Sequence, residues 1–401
     1  MPRARSRFAV GFATGLGAGA VAWAAASAAS GAAPYQELAV FSSVLRLVRE
    51  AYVAPVDEAK LVRAAVRGML ADLDPHSAYL DAEQNAQLRE ATTGEFAGVG
   101  LEIGRSADGG LQVVAPLEGS PAAKAGLRPR DRIAELCGAA CTSAQGLEPD
   151  AAAALLRGPV GSVVTLTVLR DGWAAPRAFA LTRAVVRAPA VRVGRLAGGL
   201  AVARVAELTE GAAAELSERL VQLARESGAP PTGLVLDLRN NPGGVVDEAV
   251  AVAGLWLDGG DVVVLRGRGD ENVVRLAAQP GGDVALPLVV LVDAGSASAA
   301  EIVAGALQDR RRALVVGENT FGKGAAQSVF DLPGGAGVRL TTAHYTTPSG
   351  RAIEGAGIAP DVAVPGSSAR GDAQLARAAE VLRNPELFGA LRAAAPAARA
   401  E

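Results

Sequence analysis

Two unbroken apolar runs, Leu234-Val235-Leu236 and Leu288-Val289-Val290-Leu291-Val292, constrain the fold of this chain more than any other feature. A strand with one face in water alternates apolar and polar residues, whereas a run without a polar position must be covered on both faces, as in parallel sheets flanked by helices. Strands are expected at residues 200–205, 233–238, 262–265 and 287–292, separated by helical periodicity at 211–225 and 245–257. This alternation over residues 184–365 predicts an α/β core.

The chain upstream obeys other periods. Residues 35–53 and 57–73 place apolar side chains at helical spacing, with Pro55 breaking between them, so 34–92 reads as a helical lead-in. Asp74-Pro75-His76-Ser77 closes it as a turn, in which His76 has a packing or turn-stabilising role. From 93 to 183 the pattern changes to short β-like runs (98–103, 111–115, 132–136, 162–169) punctuated by Gly and Pro, with helices at 121–125 and 149–156. The alanine-rich tail, 366–401, carries one helix, at 373–382.

Composition removes several function classes. With 39 basic against 42 acidic residues there is no electrostatic footprint for nucleic acid. The Arg310-Arg311-Arg312 run follows a helix predicted over 299–308 and complements its negative end. Two histidines and two cysteines, unclustered, predict no metal and no cofactor. Arg3, Arg5 and Arg7 precede an uncharged stretch over 8–33 that includes Ala26-Ser27-Ala28, the pattern of an export signal or a retained membrane anchor. Export to the periplasm or another extracytoplasmic face would let Cys137 and Cys141 pair as a disulfide; the alternative is two buried thiols.

The chemistry is read from Ser298 and Lys323. A serine hydroxyl needs a base to attack at neutral pH, and neither His76 nor His344 sits in a context that suggests a triad. Lys323 lies between two glycines, and Ser298 lies where the apolar strand gives way to a helix, whose positive end favours attack. The N–H of Ala299 and the turn Asn240-Asn241-Pro242-Gly243-Gly244 are the expected oxyanion donors. Residues 317–323 copy most of a phosphate-binding loop, but Gly324 occupies the position that needs a hydroxyl, which argues against nucleotide binding.

Two resemblances sharpen this reading. Gly98-Val99-Gly100-Leu101-Glu102-Ile103 with Gly119-Ser120-Pro121 through Asp131-Arg132-Ile133 resembles a bacterial PDZ domain, departing from it at Arg130, where such modules carry glycine. Leu236-Asp237-Leu238-Arg239-Asn240-Asn241-Pro242-Gly243-Gly244, Gly295 through Glu301, Gly322-Lys323-Gly324-Ala325-Ala326-Gln327 and Tyr345 through Arg351 resemble the carboxyl-terminal processing (tail-specific) protease family. The family resemblance implies a crotonase- or ClpP-like α/β core with an inserted PDZ domain, and a serine endopeptidase working through an acyl-enzyme. Carried over residue by residue, it implies Ser298 as nucleophile, Lys323 as base, Gln327 as the residue orienting the lysine, backbone of Gly243 or Gly244 at the oxyanion, and Asp309 in support. For the PDZ part it implies a carboxylate nest at Gly98, Val99, Gly100 and Leu101, a pocket including Leu101, Ile103 and Leu156, and Arg157 as a reporter of occupancy. The implied partners are proteins or peptides with free, apolar carboxyl termini, an adaptor protein and further copies of the chain. A PDZ scaffold or chaperone that binds tails without cutting is the rival reading.

Overall fold

The computed structural model describes residues 33–394 apart from 107–108, 139, 270 and 367–371; residues 1–32, on which the export-signal expectation falls, lie outside the described residues. The chain divides into two units, Met1–Leu73 and Asp74–Glu401. In the first, helices α1 (Ala33–Ala51) and α2 (Glu58–Ala71) fall on the two periodic segments, and Asp57 caps α2 by accepting from Lys60 N at 3.0 Å. Among the described residues no helix is long and apolar enough to cross a membrane.

The second unit opens at Asp74. Its carboxylate accepts from the N–H groups of His76 and Ser77, and from the hydroxyls of Ser77 and Thr341. The Ser77 hydroxyl, ahead of those backbone donors, holds the Asp74 carboxyl at about 2. A short strand, β1 (Ala78–Leu80), and helix α3 (Ala82–Thr93) follow; Asp81 and Gln84 close a capping box at the start of α3, and left-handed Gly94 ends it.

Next comes a mostly β module on a two-stranded neck. Strand β2 (Glu95–Gly98) pairs antiparallel with β9 (Ala184–Arg187). Between them lie β3 (Leu101–Arg105), β4 (Leu111–Pro116), β5 (Arg132–Cys137), β6 (Cys141–Ser143), β7 (Val163–Leu169) and β8 (Arg177–Thr182), with helices α4 (Pro121–Lys124) and α5 (Pro149–Leu156). The sheet order is β3-β4-β5-β7-β8, with β6 on β5, so β3 is an edge strand. Leu111, Val113, Leu136, Leu166 and Val168 fill its core. Arg130 takes a left-handed φ of 70°, the conformation glycine would supply, and the turn is held by buried Asp131, which accepts from Arg128 N and from Arg170 Nε at 2.6 Å. Cys137 and Cys141 face each other across the β5–β6 hairpin and form a disulfide, which decides between the two alternatives open in the sequence.

The core continues with β10 (Val191–Arg195), β11 (Ala201–Val205), α6 (Ala212–Ser227), β12 (Leu234–Asp237), α7 (Val246–Gly254), β13 (Gly260–Arg266), β14 (Val273–Ala278), β15 (Leu288–Val292) and α8 (Ala299–Asp309). After α8 follow β16 (Leu314–Gly317), β17 (Ala325–Asp331), β18 (Gly337–Thr346), β19 (Val362–Ala363), α9 (Ala373–Arg383) and α10 (Pro385–Ala394). One sheet runs β10-β11-β12-β15-β16-β19, parallel except for edge strand β10. The two apolar runs are its centre and are covered on both faces. Leu234, Leu236, Leu288 and Val290 pack with α7 and α8 residues such as Val252 and Val303, while Val235, Val289 and Leu291 pack with Ala378, Val381 and Leu382 of α9. A second, antiparallel sheet, β1-β18-β13-β14 with β17 on β18, was largely illegible in sequence, because β17 and β18 are half exposed and carry Thr, Ser and charged residues without an apolar run.

Mass spectrometry of the chain purified without reductant is expected to find no free thiol at Cys137 or Cys141 before reduction and both thiols afterwards.

Candidate active site

Strands β12 and β15 are parallel neighbours, so the loops leaving their carboxyl ends meet at one edge of the sheet, where open α/β sheets place their sites. The loops are stitched together. Fully buried Ser296 donates its hydroxyl to Leu238 O at 2.8 Å, Ala297 N donates to Asn241 O at 2.9 Å, and Asn240 N donates to Asp293 Oδ1 at 2.8 Å. Ser298 follows at φ 57° and ψ −120°, a strained conformation for a residue with a side chain, and α8 begins at the next residue. The hydroxyl therefore stands at the positive end of a helix.

Gly243 packs directly against Ser298. A Cβ there would lie 2.8 Å from Ser298 Cβ and 2.9 Å from Ala299 N, and its φ of 107° excludes other residues as well. Its N–H donates to Asn241 Oδ1 at 2.9 Å and its carbonyl accepts from Leu208 N at 2.8 Å. Among the described residues the N–H groups of Ala299 and Gly244 have no hydrogen-bond partner. Of the two glycines expected at the oxyanion, Gly244 therefore has the uncommitted amide and Gly243 supplies the close approach.

Glu301, on the first turn of α8, is fully buried and accepts four hydrogen bonds. Its Oε1 takes Thr320 Oγ1 at 2.5 Å and Gly322 N at 2.7 Å; its Oε2 takes Ser298 N at 2.7 Å and Lys323 N at 2.9 Å. A carboxylate buried without partners would be prohibitively costly, and four donors offset that cost. One oxygen thus holds the backbone nitrogens of Ser298 and Lys323 together, which caps their separation at the sum of those two bonds. The sequence reading quoted Glu301 without giving it a role; the available signal was a single acid within an otherwise apolar helix start.

Lys323 is half buried. Burial is the main cause that pushes its ammonium below its ordinary pKa; Arg339 adds to it, while Glu354 and Glu301 pull the other way. Among the described residues no hydrogen bond or ion pair engages its Nζ, and none joins it to Ser298 Oγ. The buried Tyr345 phenol donates to the Lys323 carbonyl, and Tyr345 N donates to Gly324 O at 2.8 Å. Burial raises the pKa of this phenol, and the nearby Ser298 hydroxyl opposes that rise. Tyr345 too had no role in the sequence reading.

The other expected residues fall in distinct places. Gln327 lies on β17, and its side chain donates to Ala325 O at 3.0 Å. Asp309 ends α8, about 16 Å along the helix from Ser298; its carboxylate accepts from Ser349 N and Oγ and pairs with Arg351, so it anchors the turn after Tyr345 and does not reach Ser298. In the β module, Val99 and Leu156 belong to the buried core, and Leu101 and Ile103 are partly buried against it. Gly98 ends β2, while Gly100, at φ 69°, lies so close to Ser120 that a Cβ would be 2.3 Å away. Its carbonyl accepts from Leu117 N and Ser120 Oγ. Arg157 stacks on Phe96, 5.1 Å from the ring centre, and lines a cavity of roughly 350 Å³ with Glu207 and Thr209.

The chain is similar to known proteins. Residues 199–364 match the model of peptidase family S41, residues 112–170 that of the PDZ domain, and residues 18–84 that of the activating protease CtpB N-terminal domain. The chain is 40% identical over 335 residues to a carboxy-terminal-processing protease of Bartonella bacilliformis, covering 82% of this chain and 75% of that one. It is 41% identical over 329 residues to a carboxyl-terminal-processing protease of Synechocystis sp., covering 79% and 74%. A solved photosystem II D1 C-terminal processing protease is 34% identical, with a TM-score of 0.47, over 86% of this chain and 91% of that one. The chain belongs to peptidase family S41, among the carboxyl-terminal-processing serine proteases that carry a PDZ domain.

Proposed function

We propose that this protein is an exported endopeptidase that captures the free, apolar carboxyl terminus of a protein at its PDZ domain and cleaves with Ser298 as nucleophile and Lys323 as general base. The observation that carries the reading is the sharing of one Glu301 oxygen by the backbones of those two residues. In the first step neutral Lys323 takes the hydroxyl proton as Ser298 Oγ attacks the peptide carbonyl. The developing oxyanion meets the free N–H groups of Ala299 and Gly244. Collapse expels the amine, which takes the proton back from the lysine and leaves an acyl-enzyme; water, deprotonated by Lys323, then attacks the acyl carbonyl, and the acid is released as the lysine returns that proton to Ser298 Oγ. Gln327, whose amide nitrogen donates to Ala325 O, keeps its amide oxygen as the acceptor that orients the lysine. In the PDZ domain, edge strand β3 offers a free ladder for strand addition beside α5, with the loop 98–101 at the end where a terminal carboxylate would sit.

Neutral lysine gives the pH dependence its sign. Because the folded-state pKa is depressed, the active form persists below the ordinary lysine range and is lost as pH falls through the lowered value. Cleavage is therefore expected to rise with pH along a single acid limb.

Ser298→Ala and Lys323→Ala are expected to abolish cleavage and Gln327→Ala to impair it; a Ser298→Ala protein that still cleaves refutes the mechanism. Fluorophosphonate labelling of Ser298 is expected in the parent chain, and an unlabelled chain that still binds tail peptides would be a scaffold instead. Glu301→Ala leaves four donors without their acceptor and is expected to cost about 2–4 kcal/mol in chemical denaturation, together with most of the turnover. Arg157→Ala is expected to slow cleavage of substrates ending in a free carboxylate more than that of the same substrates ending in an amide, as read from paired kinetics.

A further inference from the structure

The segment Ile353–Gly355 threads alongside the lysine. Gly355 N donates to Gly322 O at 2.8 Å, and Gly324 N donates to Glu354 Oε2 at 2.7 Å, so the residues on both sides of Lys323 are bonded to this one strip of chain. The packing is close: a Cβ on Gly324 would lie 2.4 Å from Glu354 N. Ile353 beneath it is fully buried, which fixes the strip. The Glu354 carboxylate is therefore held one residue from the base, although it is itself open to solvent.

The other groups around the base have different anchors. Glu301 is fully occupied by its four donors, and Tyr345 is occupied by the Lys323 carbonyl. His344 faces Ala325 across the ladder. Arg339 donates from Nε to His76 O at 3.0 Å, so the Asp74–Ser77 turn fixes a cation that acts on the lysine.

We propose that Glu354 is a positioning residue that sets the working pH of the enzyme: its carboxylate, pinned beside Lys323 by the Gly324 amide, favours the charged lysine and holds back turnover at neutral pH, with Arg339 as its counterweight. The inference rests on the Ser298–Lys323 reading and refines it. The physical basis is that a carboxylate near an amine makes its proton harder to remove, and a guanidinium makes it easier. Burial is the largest influence on the lysine and lowers its pKa; Arg339 adds to that lowering and Glu354 opposes it. Because Glu354 is exposed, its influence is screened by salt.

The test is the rate of fluorophosphonate labelling of Ser298 in the full chain as a function of pH. Glu354→Gln keeps an oxygen for the Gly324 amide and removes only the charge. Its profile is expected to move to lower pH as a whole, so that labelling at neutral pH is faster by about twofold to fivefold, with the gap closing in high salt. Arg339→Gln is expected to move the profile the other way, and Arg339→Lys to restore it. A folded Glu354→Gln protein whose profile stays in place, or moves to higher pH, overturns the inference while leaving the dyad standing. If Glu354→Gln does not fold, an Arg339→Gln profile that stays in place overturns it equally. A parent chain that never labels removes the dyad and this inference together.

Discussion

The catalytic edge of the molecule depends on one buried carboxylate. Glu301 accepts from both the loop after β15 and the loop before β17, and it reaches the backbone of both. Because three of its four bonds go to main-chain N–H groups, it fixes where the chain runs and leaves the side chains of Ser298 and Lys323 unengaged by it. Few alternatives exist, since an amide or hydroxyl at that position could not satisfy four donors at once. The surrounding glycines belong to the same solution: Gly243 and Gly324 let other chain segments approach to contact distance, where a methyl group would collide.

The fold was legible wherever burial writes itself into composition. The runs at 234–236 and 288–292 could only be strands covered on both faces, and they form the centre of the parallel sheet. The Pro-led helix at 149–156 was readable because proline at its first position and a buried stripe coincide. The antiparallel sheet was not, since β18 pairs on both edges yet exposes much of its surface, and its polar residues mask the strand.

The same division holds at the site. Ser298 and Lys323 stand out in the sequence because a hydroxyl and an amine in such settings are scarce in a chain nearly without histidine, and the structure brings their backbones to one Glu301 oxygen. Glu301 and Tyr345 do not stand out, because most of their partners lie about twenty residues away, and no local pattern records such partners. Gln327 and Asp309 show the converse: residue type and spacing suggested their roles, while the structure gives each a different immediate partner, Ala325 O in one case and the Ser349–Arg351 turn in the other.

The neck formed by β2 and β9 has a consequence for how such a molecule can change. The chain enters and leaves the PDZ domain through two adjacent, hydrogen-bonded strands, so the gap to be bridged is one strand spacing whatever lies beyond it. Everything that holds Ser298 and Lys323 in place comes from residues after that neck. On the proposed reading, tail selectivity would in this sense be a cassette, carried between two strands that a different reader could occupy without altering the residues that hold Ser298 and Lys323.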